Sequence, residues 1–211
     1  MKRDDLLAIR KENGKLLKKN GYRVLEDLPL IEEPNMRSID DVKGRVFAMH
    51  PLCQIGYGAP PDAVKDYLER NGLTDFLSSE EMALFQQELS HEKCAGLTWY
   101  IENIYAFLWA LGLVDNLDQN EMAQGEVVYP MLPDLPDGGI DSDVEKTSSL
   151  RSEVEIAEML DCYYRLHWHF VDERINGRPD IEREGIVFER RKALEWLYNR
   201  DSDWDSIEMS T

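Results

Sequence analysis

The chain has 211 residues, 43% hydrophobic and 31% charged, which is enough for one sizeable core and too short to require two. Its net charge of −18 is uneven, because residues 1–23 hold eight Lys/Arg against three Asp/Glu and leave 16 basic and 39 acidic residues beyond them. Such a field repels phosphates and anionic membranes and attracts cations or basic protein surfaces, so neither nucleic acid nor a membrane is expected as a partner; the acidity either maintains solubility alone or suits a basic protein.

No apolar run approaches the roughly 20 residues of a membrane span, and no signal-peptide core follows Met1, so a soluble, cytoplasmic protein is expected. Cys53, Cys94 and Cys162 are far apart and lack paired spacing; they read as reduced thiols.

Helical periodicity recurs from end to end and β-branched alternation is nearly absent. The expectation is an all-α fold: a single compact domain of about seven to eight helices around a central apolar helix. A first helix, capped by Asp4 or Asp5, runs to Lys19. It forms a basic N-terminal helical arm over residues 1–24, whose narrow stripe of Leu6, Leu7, Ile9, Leu16 and Leu17 either docks on the body or leaves it mobile. Residues 25–211 read as one acidic helical domain, entered through an extended linker carrying Pro29 and Pro34.

Ser38 with Asp41 forms a capping box for a helix over 39–55, with Val42, Val46, Met49 and Cys53 as its buried stripe. A third helix starts at a proline after Gly58 and stops near Asn71-Gly72. Ser78 with Glu81 opens a helix to about Leu89. Residues 95–114 are apolar nearly all round and predict the central helix, with Glu102 inside it. Between Asp115 and Glu145 there are nine acidic residues and no Lys or Arg; a short helix over 118–128 and an acidic loop over 129–148 are expected there. Ser152 with Glu155 opens a long helix to Ile175, with Val154, Ala157, Leu160, Tyr164, Trp168, Val171 and Ile175 facing inward. A last helix spans 184–198, and Trp204 beyond it can fold back onto the body.

Four stretches carry a likeness. They are Trp99-x-x-Glu102-x-x-Tyr105-x-x-Leu108-Trp109, Asp161-x-Tyr163-Tyr164-Arg165-Leu166-His167-Trp168, Glu189-Arg190-Arg191-x-Ala193-Leu194-x-Trp196-Leu197, and Trp204-Asp205. Together with Asn13-Gly14-Lys15 they resemble the bacterial family called domain of unknown function 4272 over nearly the whole chain. That resemblance implies a single helical domain and brings no activity, ligand or catalytic residue with it.

The stretch 161–168 sets ionisable groups among large aromatics on a helix, where unpaired charges are costly. With Glu102, Glu189 and Arg190 it suggests a buried charge network of Glu102, Asp161, Arg165, Glu189 and Arg190, either locking helix register or holding a carboxylate for acid–base work. Trp99, Tyr163, Tyr164 and Trp168 form a candidate aromatic wall for a small ligand, although aromatics at helical spacing usually belong to a core.

His167 and His169 point about 200° apart on a helix, His169 with Glu173 lacks further ligands, and Asp137, Asp141, Asp143 and Glu145 lack the order of a calcium loop. No metal and no cofactor is expected. No nucleophile elbow or phosphate loop is present, and no motif identifies a reaction. The sequence favours a non-catalytic acidic protein-binding module, of inhibitor or immunity type; the alternatives are a hydrolase using Glu102, Glu189 and Arg165, or a small-ligand sensor.

Overall fold

A computed structural model describes residues 1–211 and is all-α. Its helices are α1 (Arg3–Lys19), α2 (Ile39–Gly56), α3 (Pro61–Arg70), α4 (Ser79–Ala83), α5 (His91–Leu97), α6 (Tyr100–Ala110), α7 (Gly125–Val128), α8 (Asp143–Lys146), α9 (Glu153–Ile175) and α10 (Ile181–Tyr198). α4, α5, α7 and α8 are the short ones, of at most seven residues. None is long and apolar enough to cross a membrane.

In space the long helices follow the order α1, α9, α10, α6, α2, with α5 and α3 also packed against α2. One continuous core runs through all of them, from Leu6 on α1 to Trp204 beyond α10. The first helix is therefore docked: Leu6, Ile9 and Leu17 are buried while Leu7 and Leu16 stay exposed. Its N-terminus is set by Asp5, whose carboxylate accepts the Lys2 N–H at 2.8 Å, rather than by a cap at Asp4 or Asp5 itself. The linker is pinned to the end of α10, where Asn35 N–H donates to Tyr198 O and Arg200 N–H donates to Asn35 O.

The three capping boxes form as their sequences predict, at Ser38/Asp41, Ser78/Glu81 and Ser152/Glu155. The helix after Ser78 is shorter than expected, because it tightens into a 3-10 turn at Leu84–Gln86. The expected central helix over 95–114 is also broken, into α5 and α6. At the break Trp99, Ile101 and Glu102 donate to residues three back, and Thr98 Oγ1 donates to Ala95 O at 2.7 Å. The cause is the close approach of α2, since a Cβ on Gly56 would lie 2.7 Å from Thr98 Cγ2 and 2.8 Å from Cys94 O. α6 remains the central element, between α10 and α2. It stops at Gly112, whose φ of +74° suits glycine, with Leu113 N–H returning to Leu108 O.

Two further expectations are corrected. The helix over 118–128 reduces to α7, preceded by turns, and the acidic stretch 129–148 holds two 3-10 turns and α8, with Leu132 and Val144 buried. The buried face of α9 is wider than the expected stripe: Ala157, Leu160 and Tyr164 are buried as expected and Val154 and Ile175 are exposed, while Ile156, Tyr163, Leu166 and Phe170 are buried besides. Cover by both α1 and α10 widens that face. Trp204 does fold back, edge-on to Trp196 at 6.1 Å between centroids.

The tightest approach in the core is at Gly44 on α2, where a Cβ would sit 2.2 Å from the Phe76 ring. Gly44→Ala is expected to lower unfolding stability by about 1–2 kcal/mol despite the better helix propensity of alanine, because the ring and the turn behind it must shift. A urea midpoint equal to that of the unsubstituted chain would contradict this packing.

Candidate functional site

Five positions suggested one charge network; the fold distributes them over three contacts. Glu102 on α6 and Arg190 on α10 face each other with both side chains fully buried, Arg190 Nε donating to Glu102 Oε2 at 2.7 Å. The other guanidinium donors reach Asp118 O at 2.6 Å, Glu121 O at 2.7 Å and the Tyr163 hydroxyl at 3.1 Å. Tyr163 donates onward to Leu117 O at 3.0 Å, and Glu102 Oε1 accepts the Ala123 N–H at 2.8 Å. Burial raises the Tyr163 hydroxyl pKa well above its ordinary value, so it stays protonated and can make that bond. The pair and Tyr163 thus hold the backbone of residues 117–123 at four points.

Asp161 and Arg165 form a separate bidentate pair one turn apart on α9, at 2.8 and 2.9 Å. Asn13 of α1 donates to the same carboxylate at 2.9 Å and to Glu158 O at 2.8 Å, so this pair fastens α1 to α9. Glu189 has no arginine partner. It is half-buried and accepts only from Asn103 Nδ2, at 3.1 Å, and burial raises its pKa above the ordinary carboxylate value.

The four aromatics are likewise dispersed. Tyr163 serves the loop network, Tyr164 lies under the Arg191 guanidinium at 4.4 Å, and Trp168 packs half-buried against the core. Trp99 lines a cleft with Tyr57 and Tyr129, two residues that the sequence did not single out.

Two buried arginines were not among the residues expected in a charge network. Arg45 on α2 makes a bidentate pair with Glu81 at 2.6 and 2.7 Å, while its guanidinium stacks over Trp204 at 4.1 Å. Glu81 also closes the capping box, accepting the Ser78 N–H at 2.8 Å. Arg191 donates to His167 Nδ1 at 2.7 Å and to the carbonyls of Met209 and Ser210, which fixes the C-terminal segment. Burial first, and then the neighbouring guanidinium, push the His167 pKa down to about 4, so the imidazole is a neutral acceptor. His169 accepts the Arg23 N–H at 3.1 Å, and Glu173 is taken by Arg178 and Arg23. Burial pushes the Cys53 thiol up to about 11 and Cys162 up to about 12, values of thiols held protonated.

Outside the network lies a cleft of about 520 Å³. Tyr105, Met122, Val127 and Met159 give it apolar walls, and Asp115 and Glu121 are among its acidic lining residues. Arg190 sits behind the Tyr105 ring at 5.0 Å and faces inward. Of the nine acidic residues between Asp115 and Glu145, only Asp141 is in an ion pair, with Lys146. The cleft is an acidic, apolar-walled surface on a loop whose conformation is set from beneath.

Breaking the buried pair leaves an uncompensated charge. Arg190→Met is expected to cost about 3–5 kcal/mol in denaturant unfolding and to speed hydrogen exchange at the Ala123 amide, while Glu102→Leu with Arg190→Met costs less than the single change. An additive double variant would show that the two side chains do not act as a pair.

Glu189 behaves oppositely. Its folded pKa is raised, so the stability linked to it is present below the ordinary carboxylate value near 4.5 and is lost as pH rises through the folded value. Glu189→Gln, which keeps an acceptor for Asn103, is expected to stabilise the chain at pH 7 and to have no such effect near pH 3. Equal effects at both values would mean that the carboxylate is not desolvated.

No curated protein and no solved structure matches the chain. A family model does, over residues 10–207, which include every contact of the Glu102–Arg190 network and the cleft above it. The chain belongs to the family described as "Domain of unknown function (DUF4272)".

Proposed function

We propose that this protein is a non-catalytic acidic module that receives a basic segment of a protein partner at the cleft beside residues 115–127, in the manner of an inhibitor or immunity-type protein. The observation that carries this reading is the local charge imbalance: the stretch from Asp115 to Glu145 has no Lys or Arg and eight carboxylates without an ion-pair partner, and three of these, Asp115, Asp118 and Glu121, line the cleft. Arg45, Arg165, Arg190 and Arg191 are spent inside the protein, against Glu81, Glu102 and Asp161 among the buried acids. The apolar walls of Met122, Val127 and Met159 suit the aliphatic stem of a lysine or arginine whose head meets the acidic lining. A loop held by buried hydrogen bonds loses little conformational entropy on binding.

The hydrolase reading finds less support. Glu102 and Arg165 belong to separate, fully engaged buried pairs, and neither they nor Glu189 line the cleft.

The test uses the full chain with Asp115→Asn, Asp118→Asn and Glu121→Gln together. A basic partner captured from the native lysate at low salt should be lost at raised salt. The substituted chain should associate at least roughly tenfold more slowly with an unchanged melting temperature. A partner held equally by both chains, or retained at high salt, would sink this reading.

A further inference from the structure

A second cleft, of about 430 Å³, lies between the end of α2, the turn joining α5 to α6, and residues 122–129. We propose that it binds a small quaternary ammonium ion, enclosed by the aromatic rings of Tyr57, Trp99 and Tyr129. This does not rest on the docking of a protein at the acidic cleft.

The lining chemistry leads to this class of ligand. None of the nine lining residues is charged, so nothing there would neutralise a phosphate or carboxylate, and no lysine or arginine competes for the rings. Three of the nine are aromatic, and the others include Gln54, Thr98 and Met122. Tyr129 lines the cleft with its aromatic ring, its hydroxyl being buried and without a hydrogen-bond partner. That ring lies directly over Gly125, where a Cβ would stand 2.8 Å from it, so the glycine leaves the wall in place. Behind it stands His50, with ring centroids 5.8 Å apart, kept neutral by burial and therefore adding no positive charge.

The surroundings favour a cation over a neutral apolar molecule of the same shape. Glu121 and Glu126 flank the lining residues Met122 and Gly125 in sequence, are exposed, and have no ion-pair partner. The whole molecule carries −18. A permanently charged methylated ammonium has no N–H to satisfy and gains from ring faces, whereas an ordinary ammonium would leave its donors unpaired against them. The volume admits a head group of this size with a short polar arm reaching Gln54.

The experiment is calorimetric titration of the full chain with choline and with its uncharged isostere, in which a quaternary carbon replaces the nitrogen. Choline should bind at least roughly tenfold more tightly than the isostere. Tyr57 is 59% exposed, so its replacement should leave the fold intact: Tyr57→Leu should weaken choline roughly tenfold, and Tyr57→Phe should restore it. A peptide bearing trimethyl-lysine, titrated alongside, distinguishes a protein-borne source of the group from a free one, tighter binding of either assigning the source. Equal binding of choline and isostere would overturn the proposal in favour of a merely apolar cleft. Choline binding unaffected by Tyr57→Leu would place the cation elsewhere on the acidic surface, and no choline binding at millimolar concentration would end the proposal.

Discussion

The fully buried contact between Glu102 and Arg190 organises this molecule. Two ions taken out of water cost several kcal/mol each, and their mutual attraction offsets this only when the remaining donors and acceptors are also met. Here they are met by Asp118 O, Glu121 O, Tyr163 Oη and Ala123 N–H. The requirement for satisfaction therefore dictates the path of residues 117–123, which have little regular structure of their own. It also fixes α10 against α6, the pair of helices at the middle of the row.

The same economy recurs at other helix junctions. Arg165 with Asp161 and Asn13 ties α1 to α9, and Arg45 with Glu81 ties α2 to α4. Arg151, though not fully buried, donates to the carbonyls of Trp109 and Val114 and covers the acceptor end of α6. Three of the four buried arginines take a carboxylate inside with them. Four arginines and three acids are buried, so of 24 basic and 42 acidic residues 20 and 39 remain outside, and the surface keeps the surplus that the sequence brings.

Much of this was legible in the sequence where a feature is local. The capping boxes at Ser38, Ser78 and Ser152, the start of α3 at a proline, and the return of Trp204 all depend on residues within a turn or on a single large apolar side chain. That Glu102, Asp161, Arg165 and Arg190 need partners followed from their apolar neighbours. Their actual pairing did not, because it is set by which helices are adjacent. The break between α5 and α6 escaped for a related reason: its cause, Gly56, lies some 40 residues away in the sequence. Arg45 was overlooked because it sits on α2 among residues that read as an ordinary helix. The widened face of α9 reflects cover from α1 as well as α10, which a one-helix periodicity cannot register.

An apolar pair could replace Glu102 and Arg190 at similar or better stability, so stability alone does not explain why ions stand there. Apolar contacts are non-directional, and a turn-rich stretch packed on leucines could settle in several registers. Hydrogen bonds to Leu117 O, Asp118 O, Glu121 O and Ala123 N–H select one. Met122, between those anchored residues, lines both the acidic cleft and the aromatic one. A buried ion pair at this place therefore makes physical sense as a device for presenting that one loop in a single conformation, with its carboxylates outward and its backbone bonded inward. The cost of burying the charges is borne where the shape of the surface matters most.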